Sequence, residues 1–503
     1  MHMANEAQAE QPPLEGMALT ADLEENIALF KKLFEDVDLM QYRPLEGCGS
    51  FCLIWSAGVV NTFLLEEHII SSVIKNPIPP ITEKPLDHLM KHVLQSGSMK
   101  LESDLQELMK ALCYGDCLLL AEGDERGLLM EAKAFISRSV SEPEGEKILS
   151  GPREGFSEVL MENLSMLRRK LRTNDLKLKY QDIGRRSNTQ ICVAYLGTLV
   201  KPAVLAELNK RLARIDMDAV LDSHYLTELI RDQRMSLFRS TGYTERPDVV
   251  AAKLLEGRVA VFVDGTPVVL TVPYLFIENF QSSEDYYVNF YAATIARLLR
   301  IFGFLLAIIM PGLYVAILCY HQEMLPSSLL IRIAVDSRNV PFPTPLEVFA
   351  LLVMFDILRE TGIRMPNGVG QAMSIVGALV VGSAAVEADL VSSNVIIVTA
   401  VSGITTLLVP KLTTAVPILR NILILVSAAL GFYGLMLGMS FLFIHFLHLE
   451  SFGIPQVDWD SPLRYQSSKD TFIRGPLWLM RERPSRLSAN KTRMRTAKKD
   501  GEA

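Results

Sequence analysis

Counted at 100° per residue from the breaker Pro366-Asn367-Gly368, the side chains of Gln371, Ser374, Ala378, Gly382, Ala385 and Asp389 fall on one stripe of a helix. Ile375, Val376, Leu379, Val380 and Val386 fall elsewhere. A face of small and polar side chains on an apolar helix suits two purposes. It lets a second helix approach closely, and the four-residue spacing of Gly370, Ser374, Ala378 and Gly382 fits such a seam. It also suits a water-filled path for ions. On that reading Gln371 and Ser374 meet hydrated ions, and Ala378 and Gly382 form a narrow stretch that closes by dewetting. Asp389, with Glu387 nearby, then forms an acidic mouth that favours cations. Residue types and spacing leave the choice between seam and pore open.

Such a stripe needs a membrane domain to hold it. The 503 residues are 49% hydrophobic yet 21% charged, with a net charge of −7, and the mean hydropathy is +0.23. The apolar residues crowd into residues 298–449, where spans are expected at 301–320, 368–388, 391–410 and 416–447. Pro311-Gly312 should kink the first. The last is longer than the roughly 20 residues a bilayer needs, so it is expected to tilt or to project into the cytosol. Gly431, Gly434 and Gly438 lie along it at close-approach spacing. Residues 345–360 are apolar but short and carry Glu347 and Asp356 on opposite sides of a helix. One of these acids would face lipid in a full span, so a re-entrant or interfacial helix is expected there, with a full span as the rival reading, its acids standing with Glu387 at a pore mouth or inside the membrane. Residues 450–503 read as a basic cytosolic tail. Between Arg464 and Lys499 eleven Lys or Arg face two acids, a composition that also suits anionic lipid headgroups. Four crossings return both termini to the cytosol but leave Lys411 and Arg420 facing outward.

The N-terminal part is of another kind. Residues 1–20 look unstructured and lack the apolar h-region of a signal peptide. Two mixed α/β subdomains are expected at 21–140 and 174–297, joined by a connector and helix at 141–173. Strands are read at residues 50–55, 117–121 and 190–196, with a hairpin of Val259–Val263 and Val268–Val272 around Asp264-Gly265-Thr266-Pro267. Helices are read at 23–34, 62–74, 158–172 and 201–215. The two halves share a rhythm of strand, glycine turn, helix and later strand, as an old duplication would. The basic end Arg168, Arg169, Lys170, Arg172 is either a solvated face or a docking surface. Arg168 and Arg169, with Pro311 and Gly312, are the candidates for coupling this region to a gate. Aromatic crowding from Tyr274 to Tyr291 suits either an interfacial belt or core packing.

Composition also excludes. Cys48/Cys52 and Cys113/Cys117 sit on apolar, strand-like segments rather than knuckle turns, so buried free thiols are expected and no metal. With eight histidines and no nucleophile triad, Walker or metal-ligand spacing, neither an enzyme nor a cofactor is expected. Broken helices in inverted repeat, the mark of a secondary transporter, are not found. The basic tract follows a membrane segment, which argues against nucleic acid.

Several blocks then coincide: Gly151-Pro152-Arg153-Glu154-Gly155-Phe156, Glu245-Arg246-Pro247-Asp248, Leu255-Glu256-Gly257-Arg258, Val263-Asp264-Gly265-Thr266-Pro267 and Phe280-Gln281-Ser282-Ser283-Glu284-Asp285-Tyr286-Tyr287. The membrane part adds Pro341-Phe342-Pro343, Glu347, Arg359-Glu360, Gly370-Gln371 and Ser374 through Gly382. In this order, from about residue 20 to 450, they resemble the GerA family of spore germination proteins, specifically the A subunit of nutrient germinant receptors. The resemblance implies an α+β cytosolic region of two mixed subdomains followed by an α-helical transmembrane domain, in the inner membrane of a bacterial endospore. It also implies a homo-oligomeric ring that releases monovalent cations, working with a permease-like B subunit and a C-subunit lipoprotein. A SpoVAF-type sister branch, thought to amplify ion release without its own nutrient sensor, has the same architecture. The resemblance favours the pore; a non-conducting scaffold is the remaining alternative.

Overall fold

The computed structural model describes residues 17–45, 50–76, 84–94, 98–133, 143, 145–364, 382–457, 470–484, 486–490 and 492–493. Gln371, Ser374, Ala378, Cys48 and most of the expected 368–388 span lie outside these residues.

The N-terminal region is a repeat. Its first half runs α1 (Leu23–Leu33), β1 (Met40–Leu45), β2 (Phe51–Ser56), short helical turns between Thr62 and Val93, β3 (Met99–Glu102), α2 (Leu105–Cys113), β4 (Asp116–Ala121) and β5 (Gly127–Glu131). The second runs α3 (Leu160–Lys170), β6 (Leu176–Ile183), β7 (Thr189–Leu196), α4 (Pro202–Leu212), α5 (Ser223–Ile230), β8 (Gly242–Thr244), α6 (Pro247–Leu255), β9 (Val259–Val263) and β10 (Val269–Val272). The sheets have the same order, β1-β2-β4-β5-β3 and β6-β7-β9-β10-β8. Matching glycines support the match. Gly115 (φ +94°) and Gly257 (φ +87°) open β4 and β9, and a Cβ there would meet the carbonyl oxygen of Val59 at 2.8 Å and of Leu199 at 2.6 Å. The shared rhythm read in the sequence is thus a shared topology.

Helices α1, α2, α3 and α6 pack into one core with a face of each sheet, through Phe30, Leu108, Leu164, Leu254, Ile54 and Phe262. The opposite faces carry their own clusters, around Leu89 and Leu119 on one sheet and Leu208 and Val261 on the other. Central strands covered on both faces have no need of polar alternation, which is why β2, β4, β7 and β9 read as unbroken apolar runs. Helix starts follow capping chemistry: the Asp22 carboxylate accepts from the N–H groups of Glu24 and Glu25, and Asp104 from that of Gln106. Cys52, Cys113, Cys117 and Cys192 are buried free thiols.

The C-terminal region is a helical bundle: α7 (Phe290–Tyr320), α8 (Ser327–Asp336), α9 (Thr344–Arg364), a helix closing at residue 387, α10 (Ser393–Thr406) and α11 (Ala415–Leu447). Helix α7 runs on through Pro311. The last helix departs from the expected long span. At Gly431 the backbone takes φ 60°, ψ −140°, outside the helical region, and the chain doubles back. Gly434 lies against the Val426 carbonyl and a Cβ on Gly438 would sit 2.5 Å from Leu423 Cδ2. In a straight helix Leu423 and Gly438 would be roughly 22 Å apart. Glycine is required here twice over, for the positive φ and because the Tyr320 ring stands 2.8 Å from where a Cβ would be.

The residues 345–360 are likewise part of something longer, the 21-residue helix α9, which is roughly 31 Å long. The tail corrects a third expectation. After the bundle, β11 (Glu450–Ser451) and β12 (Ile454–Pro455) return to the α+β domain, where Phe452, Ile454 and Leu487 join the core of the second repeat. Ser451 Oγ donates to the Ser240 carbonyl at 2.6 Å, and Ala489 N–H to the Leu199 carbonyl at 2.9 Å. These parts of the tail are packed on the domain instead of free to lie on headgroups.

The doubled-back α11 predicts a cross-link. With Leu423→Cys and Gly438→Cys in one chain, the first change removing the atom the new Cβ would meet, mild oxidation should form an intrachain disulfide seen as a mobility shift on non-reducing gels. A continuous helix forbids it.

Candidate functional site

Two places concentrate polar chemistry: the joint between domain and bundle, and the interior of the bundle. The joint is built from the turns that follow β10. Phe276 and Phe280 form an aromatic cluster with Phe238 of the domain, Phe304 of α7 and Phe446 of α11, with ring centroids 4.6 to 6.4 Å apart. The aromatic crowding in the sequence therefore packs a joint. Beneath it Glu278, almost fully buried, closes its own turn by accepting from the Leu275 N–H at 2.7 Å, and pairs with Lys253 at 2.9 Å and with Arg258. Burial alone would push the Glu278 carboxyl up; the Arg258 and Lys253 charges outweigh it and bring it down to about 2. Asp285 accepts from both terminal nitrogens of Arg300 at 2.9 and 2.8 Å, and Arg297 bridges Asp285 to Asp470 of the tail. Tyr286 donates to Asp470 at 2.6 Å. One carboxylate pair thus clamps domain, first bundle helix and tail together.

Lys411, in the turn between α10 and α11, donates to the carbonyls of Glu278 and Gln281 at 3.0 and 3.3 Å. That turn therefore sits on the domain's side of the bundle, which corrects the expectation that Lys411 faces the opposite side. Both ends of the α11 hairpin lie at the joint, with Leu412, Val416, Leu442 and Leu449 in one cluster with Phe280 and Phe304. Its turn lies at the far end, where Tyr320 OH donates to the Ala428 and Ala429 carbonyls at 2.7 and 3.0 Å.

Inside the bundle the two acids of α9 are used internally. Glu347, 2% exposed, accepts from Ser392 N–H at 3.0 Å and Oγ at 3.2 Å, fixing α9 to the start of α10. Asp356 pairs at 2.6 Å with Arg420, whose side chain is fully buried in the first limb of α11. Arg420 also reaches Ser402, and Ser402 Oγ donates to the Ala307 carbonyl of α7 at 2.8 Å. Glu347 and Asp356 therefore do not stand at a pore mouth within the chain; they lock helices to one another.

The described part of the stripe lies at the far end. The helix closing at residue 387 ends in a Schellman pattern: Asp389 N–H donates to Val386 O at 3.0 Å and Leu390 N–H to Ala385 O at 2.9 Å, with Asp389 left-handed at φ 53°. Asp389 is thus past the helix, and the 100° count that placed it on the stripe does not reach it. Glu387 and Asp389 are both exposed, Gly382 and Ala385 partly so, and among the described residues a Cβ on Gly382 would meet no atom within 4 Å. The coupling candidates divide. Arg168 is 1% exposed, donates to the Thr173 carbonyl and cannot dock anything; Arg169 pairs with Glu154 inside the domain. Gly312 lies where α7 meets the α11 hairpin, against Ser427, Leu423 and Leu435. Spacing alone had no means of finding Glu278, Asp285, Arg297, Arg300 and Lys411, although the Phe280–Tyr287 block already marked their neighbourhood.

The family described as Bacillus/Clostridium GerA spore germination protein matches residues 28–486. The chain belongs to the GerA family of spore germination proteins. It is 39% identical over 438 residues to spore germination protein KA of Bacillus subtilis (strain 168), covering 87% of this chain and 80% of that one. It is 35% identical to the uncharacterized membrane protein YfkQ of the same organism, covering 93% and 92%, and 33% identical to spore germination protein GerLA of Bacillus cereus, covering 81% and 83%. A crystal structure of the N-terminal domain of the A subunit of the Bacillus megaterium spore germinant receptor GerK3 matches 52% of this chain and 98% of its own, at 28% identity and TM-score 0.39.

Breaking the bundle's ion pair from one side should be costly. Asp356→Asn leaves Arg420 buried without its partner, a loss of about 3–5 kcal/mol that thermal unfolding in detergent would read. Asp356→Leu with Arg420→Met should recover most of it. Glu278 makes a pH prediction. Its carboxyl is lower in the folded chain than its ordinary 4.5, so its contribution is complete above about pH 4.5 and is lost as pH falls toward 2. The melting temperature should drop across that window, and Glu278→Gln should lower it at neutral pH and flatten the drop.

Proposed function

We propose that the chain is the A subunit of a spore germinant receptor, set in the inner membrane of the endospore with both termini on the core side, and that copies of it form a ring conducting monovalent cations. Family membership supports the receptor reading, together with the relatives' names. The observation that carries the conducting reading is the contrast between the two sets of polar groups. Glu347, Asp356 and Arg420 are consumed by contacts inside the chain, whereas Gly382 has no neighbour within 4 Å of its Cβ position among the described residues and Glu387 and Asp389 stay exposed at the far end. Groups left open in one chain are available to face the axis of a ring. Residues Gln371, Ser374, Ala378, Gly382 and Ala385 then line the path, with Glu387 and Asp389 concentrating cations at its outer mouth.

In this reading α7, α9, α10, residues 368–388 and the two limbs of α11 cross the membrane. The crossings are even in number, so the tail returns to the domain and Lys411 lies on the core side. The permease-like B subunit binds the nutrient, and a C-subunit lipoprotein completes the receptor. The joint carries the signal from domain to bundle, since Lys411 and the Asp285–Arg300 pair link the two directly.

Potassium release from dormant spores tests the path. With Gly382→Ser, or Ala378→Ser, spores that assemble normal amounts of the protein should leak potassium without nutrient, because a wetter constriction cannot close by dewetting. Unchanged dormancy with a normal nutrient response would make the chain a scaffold and reject the path.

A further inference from the structure

The joint encloses a cavity of about 1240 Å³, larger than the roughly 300–1,000 Å³ of ordinary small-molecule sites. Its two walls differ. On the bundle side it is apolar, with Ile301, Phe304 and Leu305 of α7 facing Met439, Leu442 and Phe443 of the returning limb of α11. Leu305 and Phe443 are 42% and 49% exposed, so this wall runs out onto the outer apolar surface between the two helices. Toward the domain the lining carries charges of both signs, among them Lys253, Arg258, Glu256 and Glu278, with Arg300 of α7 and Lys411 of the α10–α11 turn beside them. Most of these charges are already matched: Glu278 holds Arg258 and Lys253, and Asp285 holds Arg300. Lys411 differs. Its ammonium has two carbonyl partners and no ion pair among the described residues. The other charges that act on it are Lys253, Arg300, Glu146 and Glu278; Glu278 is doubly paired, and Glu146 accepts from Thr244 Oγ1 and the Glu245 N–H.

A deep apolar groove open to the side and closed by an ammonium without a counterion suits a molecule with an acidic head and a long apolar tail. We propose that the joint cavity binds one anionic membrane lipid, its phosphate on Lys411 and an acyl chain between α7 and the returning limb of α11. The inference rests on the membrane reading above, because only there does the lateral opening meet acyl chains and the lysine the headgroup layer. A lipid so placed touches the domain turns, the α10–α11 turn and both helices at once, and holds the joint closed by mass action.

Native mass spectrometry of the full chain, released from nanodiscs containing equal phosphatidylglycerol and phosphatidylcholine, tests this. The wild-type protein should retain phosphatidylglycerol about tenfold over phosphatidylcholine. Lys411→Met should abolish the preference and Lys411→Arg should keep it. Leu305→Trp, at the exposed mouth and clear of the core, should also lose the bound lipid while unfolding at the wild-type temperature. Equal retention of the two lipids, or an unchanged preference in both Lys411→Met and Leu305→Trp, overturns the proposal. Displacement of the lipid by millimolar inorganic phosphate overturns it in favour of a free-anion site. Carbonate extraction separates the failures. Protein that leaves the membrane fraction defeats the membrane reading itself, whereas protein that stays but shows no lipid preference defeats only the lipid site.

Discussion

A charge buried in an apolar interior without a partner costs several kcal/mol, and the bundle helices and the joint are arranged to limit that cost. Asp356 takes Arg420 on one oxygen and Arg359 of its own helix on the other, at 2.6 and 3.7 Å, and the first contact sets α9 against the first limb of α11. Glu347 anchors the other end of α9 by taking both donors of Ser392. At the joint, Asp285 accepts two arginines of α7 and Glu278 accepts Arg258 and Lys253. Apolar packing is non-directional and would allow the helices to slide or rotate. The ion pairs choose one arrangement among those that packing permits.

Seen this way, domain and bundle are one mechanical object. The α+β domain does not hang from the first helix by a free linker. It is joined to α7 by arginines, to the α10–α11 turn by Lys411, to the second limb of α11 by tilted ring contacts, and to the tail by the Ser451 hydroxyl on the Ser240 carbonyl. A displacement in the domain therefore has several short routes into the bundle, most through the turns at residues 276–287 and others directly from Ser236 and Phe238 to His445 and Phe446. The duplication within the domain adds to this asymmetrically. The carbonyl of Leu199, beside the turn glycine Gly257, is taken up by Ala489 of the tail, which ties the second repeat to the chain's end.

Much of the fold was legible because local patterns suffice for it. Strands buried on both faces announce themselves as apolar runs, as Phe51–Ser56 and Val259–Val263 do. The amphipathic helices at 23–33 and 202–212 were legible from periodicity, and the glycine turns from their composition. Edge strands such as β3 and β8 were not, being short and half polar. The end of the helix that closes at residue 387 was not legible, because a Schellman turn at Asp389 looks in sequence like one more helical residue.

The sequence by itself determined that this chain has a mixed α/β region and an apolar helical one, and that ordered motif blocks tie it to one family. Those properties depend on residue type and on neighbours a few positions apart. Tertiary structure alone decided the reversal at Gly431, the side on which Lys411 lies, the withdrawal of Arg168 into a core, and the consumption of Glu347 and Asp356 by partners 45 and 64 residues away. A glycine in an apolar run is equally compatible with a straight helix and with a turn, and an acid in such a run says only that it needs a partner. Which turn, and which partner, depends on groups that only folding brings within reach.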